Sequence, residues 1–139
     1  MREWIWFTLI TVVFWGMAPI LDKLGLAKAQ PMAAVAIRAL VVGIGSFAVL
    51  AGTGQLGAVT HLEARTFGLI AAAGICAAFI GQWTYFRALK SGPASAVVPI
   101  VASYPLVAAC LGVLLLHEPM TLKRGVGAVL VILGVMLVR

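Results

Sequence analysis

Five stretches of this chain stay apolar for about as long as a helix needs to cross a bilayer. They are Trp4–Leu24, Met32–Ala51, Phe67–Leu89, Ala94–Leu116 and Leu122–Val138. A hydrocarbon core about 30 Å thick takes roughly 20 apolar residues in a helix. The four connections, Ala27–Pro31, Gly52–Arg65, Lys90–Pro93 and His117–Lys123, hold turn-forming or charged residues, and none is long enough to fold by itself. Runs such as Leu69–Ile80 are apolar throughout, whereas a membrane β-barrel strand alternates in polarity over about ten residues. The expectation is an all-α integral membrane protein: one domain, residues 1–139, of five transmembrane helices.

Charge agrees with hydropathy. Hydrophobic residues make up 63% of the 139, and ten Lys and Arg stand against four Asp and Glu. Soluble domains carry roughly 25% charged residues, and the 10% here cannot clothe a water-soluble globule. A cytosolic enzyme domain, a nucleic-acid-binding module and a disordered chain are thereby excluded. The net charge of +6 reads as the basic decoration of span ends. The first stretch is not expected to be a cleaved signal. Only Arg2 precedes it, beside Glu3, its apolar run is too long, and no A-x-A site follows. The location expected is the cell (inner) membrane.

Five spans place the two termini on opposite faces. One face collects Arg2, Arg65, Lys123 and Arg124; the other collects Lys23, Lys28, Arg87, Lys90 and Arg139. Orientation follows the Lys/Arg bias of short loops, and four against five is almost none. Insertion in both orientations is one reading and a single fixed orientation is the other; dual topology permits an antiparallel pair.

Several motifs lack the context their chemistry needs. Gly52-Thr53-Gly54-Gln55-Leu56-Gly57 spells a dinucleotide fingerprint, but it follows a membrane helix rather than a β-strand. Glu118 follows His117 with no second histidine to complete a zinc motif, and there is no phosphate-binding loop ending in Gly-Lys-Ser or Gly-Lys-Thr. Cys76 and Cys110 lie mid-span as small apolar fillers. Neither a catalytic residue, a cofactor nor a metal site is expected.

Polar groups inside a bilayer are costly and mark function by default. Arg38 lies roughly 9 Å along the second helix, inside the hydrocarbon but within snorkelling reach of the interface. It is either an anchor or partner for Asp22, or a cation facing an internal cavity and attracting an anionic or zwitterionic substrate. Prolines give the second signal, because each removes a backbone donor, and such breaks are tolerated where neighbours or cavity water satisfy the carbonyl. Pro19 follows Trp15 and Gly16 in the first span. Pro99 and Ser103 share a face of the fourth, beside Tyr104 and Pro105, and Gln82 and Tyr85 share one on the third. The aromatics serve either as packing and interfacial belt, as Trp4, Trp6 and Trp83 do better, or as the lining of a shared cavity. Gly127 and Gly134 lie on one side of the last span, for packing within the chain or for a dimer contact.

Together these residues resemble a single EamA repeat of the drug/metabolite transporter superfamily. The matching features are Trp15-Gly16-x-x-Pro19, Arg38, Tyr85-x-x-Ala88-Leu89, Ala94–Pro99 with Pro105, and Glu118. Gly125-x-Gly127-Ala128 and Leu133-Gly134-Val135 complete the series, which covers nearly the whole chain. Typical members carry two such repeats in opposite orientations, ten helices around a central cavity. The resemblance therefore implies a half-size transporter that rebuilds the pair as an antiparallel homodimer. The four-span small multidrug resistance proteins, which work as dual-topology dimers, depend on a glutamate buried in the first span. Here that span has only Glu3 at its start and Asp22 at its end, which argues against their proton-coupled drug export.

The expected function is a secondary transporter or facilitator moving a small polar metabolite by alternating access. Trp15, Gly16, Pro19, Arg38, Gln82, Tyr85, Pro99, Ser103 and Tyr104 would line the substrate site, and Gly127 and Gly134 would face the partner. The alternative is a non-transporting or heteromeric membrane subunit, such as a lipid-carrier flippase partner or an assembly factor.

Overall fold

A computed structural model describes residues 3–138; Arg2 and Arg139 of the charge tally lie outside the described residues. Helix α1 spans Glu3–Leu26 and α2 spans Pro31–Gly52. The four-residue turn between them ends on Gln30, whose extended backbone delivers Pro31 to the first helical turn. Proline is favoured there because its missing N–H would have had no partner. Pro19 lies within α1 without ending it. At the far end of α2, Gly54 turns the chain with φ +70°, and the Gln55 N–H donates to Leu50 O at 2.8 Å. The glycine-rich hexapeptide is thus a helix terminus, followed by a one-turn α3, Gly57–Thr60.

The third span is longer than expected and changes winding midway. It starts as α4, Ala64–Ala73, widens into a π segment, Gly74–Gly81, and finishes as α5, Gln82–Ser91. The fourth is not one helix but two, α6 Ala94–Val101 and α7 Tyr104–Leu116. Pro105 has no N–H to offer the Val101 carbonyl, and the chain breaks at Ala102–Ser103. Helix α8, Leu122–Val138, lies against α6.

Among the described residues four segments are long and apolar enough to cross a membrane: Trp4–Leu26, Pro31–Gly52, Ala64–Ser91 and Ala94–Leu116. The fifth expected span, α8, has 17 residues, about 25 Å of helix. Large apolar side chains are exposed along every segment, Trp6 and Leu115 at 70% each. Soluble monomers rarely expose apolar surface on this scale; this is a multi-pass integral membrane protein. Hydroxyls within the spans are satisfied locally. Thr8, Thr11 and Ser46 donate to the carbonyls of Trp4, Phe7 and Val42, as buried polar groups in lipid must.

The described chain forms two compact units. One joins the residues up to Pro19 to those from Ser91 onward, and the other is Ile20–Lys90. The apolar core belongs to the second: Leu26, Val35, Phe86 and Leu89 are each at most 4% exposed. They come from the end of α1, the start of α2 and the end of α5, where three helices converge.

Candidate functional site

Asp22 lies four residues before the end of α1 and Arg38 seven residues after the start of α2. The turn between the helices is short, so the two side chains leave antiparallel neighbours roughly 6 and 10 Å from the same end. An arginine spans that difference. Arg38 Nη2 lies 3.2 Å from Asp22 Oδ2, with the side chains 36% and 15% exposed. Arg38 is thus partnered by Asp22. Each charge alone would be costly in hydrocarbon, and removing one partner would strand the other.

Helix α5 supplies the rest. Gln82, Tyr85, Phe86 and Leu89 recur at helical spacing and share a face. The Arg38 guanidinium sits 5.3 Å from the centroid of the buried Phe86 ring, a cation–π contact worth about 1 kcal/mol. The Tyr85 and Phe86 rings lie 5.9 Å apart. One turn earlier, the buried Nε2 of Gln82 has no hydrogen-bond partner. A buried unpaired amide donor costs about 1–3 kcal/mol, and such an orphan calls for a functional explanation. On the outer side of α5, Arg87 stacks on Trp83 at 5.4 Å.

The site residues expected from sequence divide between the two units. Arg38, Gln82 and Tyr85 belong to Ile20–Lys90, and Phe86, not singled out, is the ring that Arg38 covers. Trp15, Gly16, Pro19, Pro99, Ser103 and Tyr104 belong to the other unit. There Trp15 and Tyr104 are exposed, Pro19 is buried, and a Cβ on Gly16 would meet nothing within 4 Å. The Ser103 hydroxyl donates to Ile100 O at 2.6 Å, so it serves the broken span, and Pro99 lies inside α6 before the break. Gly127 and Gly134 are exposed, with open space at their Cβ positions.

Glu118 closes the α7–α8 turn. His117 takes a left-handed conformation, φ 53°, and the Glu118 N–H donates to Gly112 O at 3.1 Å. The carboxylate then packs over Gly112, 3.6 Å from where a Cβ would be, and pairs with Arg124 at 3.6 Å. A pair this exposed contributes at most about 1 kcal/mol; it is a terminal polar cap. The same unit has a small cavity of about 90 Å³ beside this cap, between Ala109 and Met120. No group of three or more potential metal ligands occurs among the described residues.

Residues 2–139 match the model of the EamA-like transporter family. A relative in Sinorhizobium sp, an uncharacterized transporter in the cobO 3' region, is 29% identical over 98% of this chain and 96% of its own. An uncharacterized protein of Methanocaldococcus jannaschii is 34% identical over 57% of this chain and 56% of its own. No solved structure matches.

Proposed function

The chain belongs to the EamA-like transporter family, and we propose that this membrane transporter is a secondary carrier for small zwitterionic metabolites. The observations that carry the reading are the Asp22–Arg38 pair and the orphaned amide of Gln82, which lies one turn of α5 before the Phe86 ring that Arg38 covers. Arg38 alone would suit an anion. Paired with Asp22 it has no net charge to give one, whereas a zwitterion answers both partners and exchanges one ion pair for two. The Gln82 donor suits an acceptor oxygen on the same substrate, and Phe86 with Tyr85 forms an apolar wall.

The carrier works as an antiparallel homodimer in the inner membrane, with α8 as a fifth span and Gly127 and Gly134 toward the partner. Supporting this are the four-against-five Lys/Arg tally, the open space at both glycines, and the Sinorhizobium relative, a chain matched over 96% of its length whose name is that of a transporter. Alternating access bends the chain at the broken fourth span. Trp15, Gly16, Pro19, Pro99 and Tyr104 line the path, which makes the chain a carrier rather than an enzyme.

Arg38→Ala abolishes uptake of zwitterionic amino acids into proteoliposomes while crosslinking still captures the dimer. Undiminished uptake removes the pair from the site. C-terminal reporter fusions test the assembly: signal from both compartments is expected, and a strict single orientation rules out a homodimer of inverted repeats.

A further inference from the structure

The Ile20–Lys90 unit has a second polar feature that the transport reading does not use. At the end where α1 and α5 finish, an open cleft of about 270 Å³ is lined by Lys23, Leu26, Ala27 and Lys90. Both ammonium groups are positioned by backbone. Lys23 Nζ donates to Leu89 O at 2.5 Å, in the last turn of α5, and Lys90 Nζ donates to Ala29 O at 2.6 Å, in the α1–α2 turn. A carbonyl orients an ammonium but does not neutralise it. No acidic residue lines the cleft. Lys28 and Arg87 add positive charge at the same end of the unit.

We infer that this cleft binds the phosphodiester headgroup of an anionic phospholipid from the surrounding bilayer. Its depth selects a lipid over a soluble anion. Both lysines lie at the ends of membrane-crossing segments, Trp4–Leu26 and Ala64–Ser91, which is the level of the headgroups. The exposed Ile20 of α1, one turn before Lys23 and on its face, offers apolar surface for an acyl chain. The opposite end of the unit has Glu63 beside Arg65, a balanced pair with no such attraction.

Native mass spectrometry of the full chain, released from detergent with equal phosphatidylglycerol and phosphatidylcholine, tests this. The wild type retains phosphatidylglycerol over phosphatidylcholine by about tenfold or more, the scale of two interfacial lysines. K23Q/K90Q loses the preference, while K23R/K90R and the charge-matched R65Q/K123Q keep it. Should K23Q/K90Q fail to fold, K90Q alone, altering an exposed side chain, lowers retention by about threefold or more. Equal retention by wild type and the lysine variants overturns the site, as does an equal loss in R65Q/K123Q. Displacement of the lipid by millimolar inorganic phosphate also overturns it, in favour of a soluble phosphate site.

Discussion

The third and fourth spans are both interrupted, by opposite means. The fourth contains Pro99 and Pro105 and breaks into α6 and α7. The third has no proline within Ala64–Ser91 and never breaks, yet it widens into eight residues of π winding. In one a backbone donor is missing, so the ladder stops. In the other every donor is present, but the ladder slips by one residue. Each interruption has a hydroxyl nearby: Ser103 bonds Ile100 O, and Thr84 bonds Ile80 O at 2.9 Å and Gly81 O at 3.0 Å. Bending and re-aiming a membrane helix are separable functions, and only the first requires proline. The π segment ends immediately before Gln82, so it sets the direction in which Gln82, Tyr85 and Phe86 point.

The most disruptive test of this contrast restores the missing donors. In P99A/P105A the Val101 carbonyl regains its partner and the fourth span closes into one helix. Transport falls by about tenfold or more, equivalent to 1.4 kcal/mol in the barrier, and amide exchange at Ala102 and Ser103 slows. Unchanged transport with slowed exchange would show that the break is not a working hinge.

A smaller effect separates the two glycines that bound the π segment. A Cβ on Gly81 would lie 3.1 Å from the Cys76 carbonyl, whereas one on Gly74 would meet nothing within 4 Å. Gly81→Ala is expected to lower stability in detergent by about 1 kcal/mol, and Gly74→Ala to leave it level or raise it by up to about 1 kcal/mol. Equal thermal midpoints for the two would mean that the widened winding is not what requires glycine at 81.

The hydroxyls give the finest comparison. Ser103→Ala and Thr84→Val each remove hydrogen bonds to span carbonyls, at a cost of about 1 kcal/mol or less. Ser103 is expected to be the more costly of the two, because it sits where the ladder has already lost a donor. Denaturation midpoints of the two variants, measured side by side, settle the order.

The legibility of these features differs for physical reasons. Pro105 marks a carbonyl that loses its donor, as Pro19 and Pro99 do, and only at Pro105 does the helix stop. The π winding has no such marker, since Gly74–Gly81 contains only residues that an ordinary helix accepts. Asp22 and Arg38 were recognisable as neighbours in depth, because the short turn fixes their distance from a common end. That they touch could not be read, nor that Phe86 lies under the guanidinium. Each residue turns the helix by about 100°, and one residue of rotation separates a side chain facing its neighbour from one facing lipid. Ser103 shares a face with Pro99, but its hydroxyl is taken up by Ile100, a local bond that spacing does not reveal.

Membership of the membrane, the run of long apolar segments and the missing donor at each proline were determined by the sequence alone. All three are sums or properties of individual residues: transfer into hydrocarbon accumulates side chain by side chain, and a proline lacks its donor in any fold. The tertiary structure decided which polar groups meet. Arg38 spends its charge on Asp22, Gln82 is left unpaired, and two lysines share a cleft because three helix ends pack at one rotation and register. That is a relation between helices, and no single segment contains it.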